Sequence, residues 1–121
     1  METGDIVLDC TMKLACAEAG AIKAKMDENM FKRRDKQPLE FPNAGSIFKR
    51  PPDNFAGKLI SDCGLKGYTI GGAQVSEKHA GFIINVGGAT TNDILALIEH
   101  IKDRVLKNFG VQLECEVRYI C

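Results

Sequence analysis

The sequence predicts an α+β fold, in which a small, mostly antiparallel sheet is covered by two main helices and joined by one short helix. Two observations support this fold class. Apolar residues recur at spacings of three and four in two long segments, and several short alternating or continuous apolar segments are separated by glycines. With 121 residues the chain has the length of one typical domain. We therefore expect helices and about five short strands in mixed order.

The first long helix is predicted from about Glu18 to Asp35. Residues at helical spacing form one apolar stripe along it: Ala19, Ile22, Met26 and Met30. The last turn carries a basic cluster at 32–34, where positive charge offsets the negative end of the helix dipole. Taken alone, this cluster indicates a solvated helix end.

The second long helix has clear start and stop signals. Thr90 is followed three residues later by Asp93, as in a capping box, and Gly110 stands where a terminating glycine belongs. Its apolar face consists of Ile94, Leu97, Ile98, Ile101 and Val105. A short helix is expected after Pro51 and Pro52, with Asp53 or Asn54 as its N-cap and Gly64 as its stop.

Strands are predicted in three parts of the chain. Residues 4–14 alternate between apolar and polar side chains, which is typical of a strand with one buried face. Residues 65–88 contain short strands broken by glycine pairs, and the run 82–86, apolar except at Asn85, predicts a strand buried on both faces. Residues 111–120 alternate again, with these side chains facing inward: Val111, Leu113, Cys115, Val117 and Tyr119.

Residues 37–54 have a different character. All four prolines of the protein lie in this segment, which shows no clear periodicity. Such a long irregular segment in a compact domain is usually functional or disordered. Phe41, Ile47 and Phe48 argue against disorder, because they give the loop apolar surface to bury.

Composition and charge exclude several classes of protein. Sixteen basic residues balance sixteen acidic ones, so the chain lacks the global positive field expected of a nucleic-acid-binding protein. No apolar run approaches the ~20 residues that cross a bilayer, and no signal segment opens the chain. The five cysteines include no C-x-x-C pair, which favours reduced thiols in a cytoplasmic protein and no metal site.

No generic catalytic motif is present in the sequence. It contains no G-x-G-x-x-G, Walker loop, H-E-x-x-H or G-x-S-x-G motif. Considered singly, Ser46 is a turn serine, Glu116 a solvated strand carboxylate and His79 a structural or exposed histidine. Periodicity and composition alone therefore predict a soluble α+β domain without indicating its activity.

Longer strings are far more specific than single residues. The chain contains, in order, KRRDKQPLEFPNAGSIFKRP, FAGKLISDCGLKGYTIGGAQVSEKHAGFIINVGGAT and FGVQLECEVRYI. From about Glu18 to its end, the chain closely resembles the C-terminal substrate-binding domain of the UDP-N-acetylenolpyruvoylglucosamine reductases, also called UDP-N-acetylmuramate dehydrogenases. The resemblance implies a bacterial, cytoplasmic flavoenzyme that completes UDP-N-acetylmuramic acid for peptidoglycan.

The resemblance implies two catalytic residues. In the family, NADPH reduces a bound FAD, and hydride then passes to the enolpyruvyl double bond of the substrate. The serine of the A-G-S-x-F motif, here Ser46, is the family's proton donor to the resulting carbanion or enolate. A hydroxyl is a weak acid and suits such a basic acceptor. The second glutamate of L-E-x-E-V, here Glu116, is implied to stabilise charge or act as an acid at the substrate carboxylate.

The resemblance also implies a substrate-binding set. Lys36 resembles a family lysine that contacts the UDP diphosphate, and Arg50 matches a neighbouring position that is Asn or Arg among relatives. Arg is a good bidentate partner of phosphate, and Lys supplies a point charge. Asn43 and His79 match polar positions near the substrate, although His79 departs from the Gln of some relatives. The family's catalytic arginine has no match in this chain.

The resemblance divides the chain into a strand preceding the domain, 1–16, and the substrate-binding domain, 17–121. Nothing in the chain resembles the flavin-binding domain, so we expect neither FAD nor NADPH to bind it and expect it to be inactive alone. The alternative is a free-standing nucleotide-sugar binding or assembly module without redox activity. The strand at 4–14, lacking partners from the flavin domain, predicts a strand-mediated homodimer.

Overall fold

A computed structural model describes residues 8–120. Three helices and four strands confirm the α+β fold class. The chain divides into two compact units, residues 1–31 and 32–121. The elements follow in this order: α1 (Ala19–Lys36), β1 (Asn43–Ser46), α2 (Ala56–Asp62), β2 (Thr69–Ile70), β3 (Ala73–Val75), β4 (Phe82–Asn85) and α3 (Thr91–Phe109).

The first unit holds an irregular segment and most of α1. Residues 8–18 have no regular secondary structure, so the strand expected over 4–14 is absent from its described part, while residues 4–7 lie outside the described residues. The apolar side chains of this segment are exposed, with Leu8 at 91% and Met12 at 73%, because no neighbouring strand covers them. The homodimer inferred from that strand therefore has no described strand to form it.

Helix α1 forms where the spacing predicts it. The carboxylate of Glu18 accepts hydrogen bonds from the backbone N–H groups of Gly20 and Ala21, both at 2.8 Å, and these bonds lower the pKa of Glu18. The helix has no buried residue. Its apolar stripe is therefore exposed.

The four strands form one antiparallel sheet in the order β1-β4-β3-β2. Gly71 and Gly72 connect β2 to β3 in a tight turn, with Gly71 at φ +55°. The predicted buried strand is confirmed at Phe82, Ile83 and Ile84, which are at most 7% exposed, but Val86 lies beyond the end of β4 and is 44% exposed. The core forms where α3 packs against the sheet and against α2, which contributes Leu59 and Ile60.

Helix α3 confirms its predicted signals. Thr90 and Asp93 form a reciprocal capping box, and Gly110 ends the helix in the left-handed conformation. The carboxylate of Asp93 accepts a hydrogen bond from the backbone N–H of Thr90, and this bond lowers the pKa of Asp93. Four residues of the predicted face are buried in the core: Leu97, Ile98, Ile101 and Val105. The stripe that covers the sheet is thus the one that the spacing predicts.

Helix α2 begins later than the sequence suggests. Phe55 occupies the N-cap position with no side-chain hydrogen bond, so the expected caps Asp53 and Asn54 are wrong. Asp53 adopts a positive φ of 55° and belongs to the turn before the helix. Gly64, at φ +70°, follows the end of the helix as expected.

The strand predicted over 111–120 does not form, but most of the side chains predicted to face inward do pack against the core. Residues 111–120 contribute one isolated bridge, between Cys115 and Phe48, which is flanked by backbone hydrogen bonds from Lys49 to Glu114 and from Glu116 to Ile47. Leu113 is buried, and Val111, Cys115 and Val117 pack against the core. Tyr119 is 62% exposed, contrary to its expected inward position.

The residues that the structure describes contain neither a membrane-spanning helix nor a metal-ligating cluster. Across 8–120, no helix is both long and apolar enough to span a bilayer. The same residues contain no cluster of three or more potential metal-ligating side chains.

Candidate functional site

A cleft of about 560 Å³ opens beside the end of β1, next to the start of α2 and the turn that precedes β4. Side chains from five separate parts of the second unit line it. They are Ser46, Phe48, Arg50, Phe55, Ala56, Gly57, Lys58, Ser61, Lys66, Lys78, His79, Ala80 and Glu116. The cleft therefore contains four of the six site residues expected from the sequence.

Ser46 ends strand β1 at an irregular point of the sheet. It pairs with Phe82, and the register of β1 against β4 shifts between Asn43 and Ser46. Gly45 sits in this shift at φ +82°, a conformation that glycine adopts without steric penalty. The hydroxyl of Ser46 donates to the carbonyl oxygen of Phe48 at 3.3 Å. The irregularity presents the serine at the cleft wall.

Backbone hydrogen bonds at Ile47 bring Glu116 to the same wall. The N–H of Ile47 donates to the carbonyl of Gly81 at 2.9 Å, and its carbonyl accepts from the N–H of Glu116 at 2.8 Å. Ile47 is 2% exposed and anchors this crossing in the core. Ser46 and Glu116 are therefore fixed relative to the backbone of one buried residue, although 70 positions separate them.

His79, which also lines the cleft, is held in one orientation. Its Nδ1 accepts a hydrogen bond from the N–H of Gly81 at 3.1 Å, so the neutral ring carries its proton on Nε2. Phe82 packs edge-on at 4.9 Å between ring centroids. A Cβ on Gly57 or Gly81 would lie 3.1 or 3.0 Å from Cε1 of the ring, so both glycines make room for it.

The remaining lining gives the cleft a positive character. Arg50 lies over the ring of Phe55, with Cζ 4.1 Å from the centroid, and its Nε donates to the carbonyl of Asn54 at 3.3 Å. Among the described residues, neither Arg50 nor Lys66 has a carboxylate partner, whereas Lys58 pairs with Asp62 along α2. Glu116 is the sole carboxylate in the lining. A chain with balanced charges thus concentrates positive charge here.

A second cavity adjoins the first, because both are lined by Ser46 and His79. It also contains Asn43, whose side chain donates to the carbonyls of Pro38 and Phe41 at 3.2 and 2.8 Å and accepts from the N–H of Gly45 at 2.9 Å. Its lining is Arg33, Gln37, Leu39, Asn43, Gly45, Ser46, His79 and Phe82. Five of the six expected residues therefore line one cavity or the other.

Lys36 is the exception, since it ends α1 as an exposed residue and lines neither cavity. Conversely, the structure adds Lys66 and Phe55 to the site. Lys66 stands in the loop between α2 and β2, in the L-K-G string, and nothing in its local pattern marks it. Phe55 follows the proline-rich segment, where an exposed aromatic next to basic residues is the available signal.

Fold and cleft together define an α+β domain that can bind an anion beside a serine and a carboxylate. Similarity to known proteins agrees with this class. Residues 37–120 match the family model described as the C-terminal domain of UDP-N-acetylenolpyruvoylglucosamine reductase. The chain belongs to this family.

Individual relatives extend the match to nearly the whole chain. UDP-N-acetylenolpyruvoylglucosamine reductase of Pediococcus pentosaceus is 59% identical over 96% of this chain, and that of Listeria monocytogenes is 57% identical over 98%. The crystal structure of the Thermus caldophilus reductase superposes with a TM-score of 0.70, at 35% identity over 88% of this chain. The chain spans 39%, 40% and 37% of those three proteins, respectively.

The lining of the cleft is mainly cationic, with one exposed aromatic ring. Phe48 is buried in the core, whereas Phe55 is 58% exposed with the guanidinium of Arg50 over its ring, so the lining offers a ligand one exposed ring beside cationic side chains. Arg50 and Lys66 supply the charge that phosphate oxygens need. We therefore assign no flavin contact to the described residues.

Proposed function

We propose that this chain is the substrate-binding part of an FAD- and NADPH-dependent reductase. The reaction converts UDP-N-acetylglucosamine enolpyruvate to UDP-N-acetylmuramate in bacterial peptidoglycan synthesis. One observation carries the proposal: the cleft gathers Ser46, Glu116, Arg50 and His79 from distant segments of the sequence. In this proposal the described residues hold the substrate, and a flavin bound elsewhere in the reductase would supply the hydride.

Ser46 is the proton donor in this proposal. Addition of hydride to the enolpyruvyl group leaves negative charge on the carbon next to the carboxylate, and this carbon needs a proton. The Ser46 hydroxyl already donates a hydrogen bond to the carbonyl oxygen of Phe48, at 3.3 Å. A bond of this length is weak, so the hydroxyl can turn toward a substrate at small cost.

Glu116 acts at the carboxylate side of the substrate. A carboxylate beside a developing negative charge needs cationic neighbours or a proton of its own. The cleft supplies cations in Arg50 and Lys66, and His79 supplies a donor on Nε2. Glu116 either holds a proton for the enolate or orients the groups that stabilise it.

The diphosphate of the substrate binds to Arg50 and Lys66. Arg50 is preorganised by its contact with Phe55 and its bond to the carbonyl of Asn54. Asn43 and His79 complete the polar lining near Ser46. Lys36 stays a proposed diphosphate contact through the family resemblance alone, and a Lys36→Ala variant tests it separately.

Calorimetric titration of the 121-residue chain with UDP-N-acetylglucosamine tests the binding site. Hydrogen bonds to a charged partner contribute about 1.5–3 kcal/mol each, so we expect Arg50→Ala combined with Lys66→Ala to weaken binding at least about tenfold. Lys107→Met removes a cation paired with Asp103 on α3 and serves as the matched control. Affinity that the double variant leaves unchanged would exclude this diphosphate site.

Turnover tests the role of Ser46. The chain can be joined to the preceding part of the Listeria monocytogenes reductase, its 57% identical relative. Loss of a general acid costs about 10²–10⁴-fold in rate, so Ser46→Ala should lower kcat by that factor and leave UDP-N-acetylglucosamine affinity intact. A nearly normal kcat in Ser46→Ala would assign the proton to another donor and favour Glu116.

A further inference from the structure

Lys78 lines the cleft but uses its ammonium group within the protein. Its Nζ donates to the backbone carbonyls of Arg34 and Gln37 at 3.1 and 3.4 Å, and it pairs with Glu40 at 3.0 Å. The two carbonyls belong to the C-terminal end of α1 and the residue after it, where the helix dipole is negative. The three donors of the ammonium therefore have three partners in the segment 34–40.

The backbone around Lys78 is fixed from the other side by Ser76. The hydroxyl of Ser76 accepts hydrogen bonds from the N–H groups of Lys78 and His79, both at 3.2 Å. Ser76 is 1% exposed, and its own N–H donates to the carbonyl of Phe82 in β4 at 2.9 Å. Lys78 thus extends from a rigid turn whose next residue is His79.

The segment that Lys78 binds leads directly to Ser46. Asn43 donates to the carbonyl of Pro38, within 34–40, and accepts from the N–H of Gly45. Ser46 then pairs with Phe82, the residue whose carbonyl binds Ser76. The Lys78 side chain, the Asn43 hydrogen bonds, the pairing of β1 with β4 and the covalent chain between them therefore form one closed circuit that contains Ser46 and adjoins His79.

We infer that Lys78 is a positioning residue for Ser46 and Asn43 and does not bind the diphosphate. The inference rests on the function proposed above. An exposed ion pair of this kind contributes little to global stability, and the Lys78 side chain is 34% exposed. Its effect is instead local, because a reacting group displaced by about 1 Å can lose about 10²-fold in rate.

Amide hydrogen exchange in the ligand-free chain measures the positioning directly. In Lys78→Met the N–H of Gly45 should exchange at least about fivefold faster, because the segment that orients Asn43 is released. Lys78→Arg retains donors for the carbonyls and should restore near-normal exchange. Lys107→Met is the control, and exchange at Ile101 in α3 should be the same in all variants. Unchanged exchange at Gly45 in Lys78→Met would overturn the inference.

Titration with UDP-N-acetylglucosamine then separates positioning from direct binding. Lys78→Met should weaken binding about threefold or more, Lys78→Arg should restore it, and Glu40→Gln should leave it equal or weaker. Tighter binding in Glu40→Gln would overturn the inference, because an ammonium released from Glu40 would then be acting as the anion ligand. Binding that Lys78→Met leaves unchanged would also overturn it.

The two proposals fail in different ways. A parent chain that does not bind UDP-N-acetylglucosamine contradicts the proposed function, while exchange at Gly45 still shows whether Lys78 positions the serine strand. Faster exchange at Gly45 in both Lys78→Met and Lys78→Arg would show that any change at this position loosens the turn, which contradicts a specific role for the donated hydrogen bonds.

Discussion

Two segments hold the proposed catalytic side chains, and each forms the opposite of what its sequence pattern suggests. The serine segment, residues 43–50, lies among prolines without periodicity, yet it contains β1, paired with β4. The glutamate segment, residues 111–120, alternates cleanly, yet it contributes a single bridge at Cys115. Alternation therefore predicted most of the side chains of the glutamate segment that pack on the core, with Tyr119 the exception, but it did not predict which backbone finds a partner.

The difference follows from the position of each segment in the sheet. The serine segment lies between two partners, since Ile47 donates to Gly81 on one side and accepts from Glu116 on the other. Among residues 8–120, the backbone partners of the glutamate segment lie on one side, through bonds from Lys49 to Glu114 and from Glu116 to Ile47. A central segment is held by both neighbours, whereas an edge segment depends on its buried side chains.

Truncation of Phe48 should produce the largest effect, because this residue serves both segments. It is 3% exposed and bridges Cys115, so we expect Phe48→Ala to lower the free energy of unfolding by about 3–5 kcal/mol. Urea denaturation measures the loss. Tyr119→Ala, at a 62% exposed aromatic of the glutamate segment, should change stability by less than about 0.5 kcal/mol. Equal losses would mean that the glutamate segment is packed along its whole length.

The sequence predicted the parts of the fold whose signals are local. The capping box at Thr90, the buried face of α3 and the buried strand β4 all formed as expected, because their side chains carry the information within a few residues. The strand at 4–14 did not form in its described part, since a strand needs a distant partner. Strand β1 was missed for the same reason: its partner is 36 or more residues away.

The candidate site shows the same division. The family resemblance identified Ser46, Arg50, His79 and Glu116, which the structure brings together in one cleft. Lys66 was not identified, because its proximity to Arg50 depends on how the loop after α2 folds back toward the cleft. The hydrogen bonds that Lys78 donates to carbonyls some 40 residues away could not be predicted from the sequence either.

Substitution of Gly45 should have a smaller effect, confined to the serine segment. Gly45 has φ +82°, and a Cβ built there would meet nothing within 4 Å, so the cost is one of backbone conformation alone. We expect Gly45→Ala to destabilise the chain by about 1–2 kcal/mol and to shift the NMR signals of Ser46 more than those of Glu116. Gly45→Asn should cost less, because Asn tolerates positive φ better than Ala. Larger shifts at Glu116 than at Ser46 would show that the two segments move together.

The ion pair between Lys49 and Glu114 should have the smallest effect, although it directly joins the two segments. Both side chains are exposed, at 53% and 72%, so water and salt screen their attraction. A double-mutant cycle with Lys49→Ala and Glu114→Ala should therefore give a coupling energy below about 1 kcal/mol that declines as salt is added. The backbone bond from Lys49 to Glu114 remains in every variant of the cycle, so the coupling reports the side chains alone. A salt-independent coupling above this value would mean that side-chain charge, in addition to the buried Phe48 and the backbone, holds the glutamate segment beside Ser46.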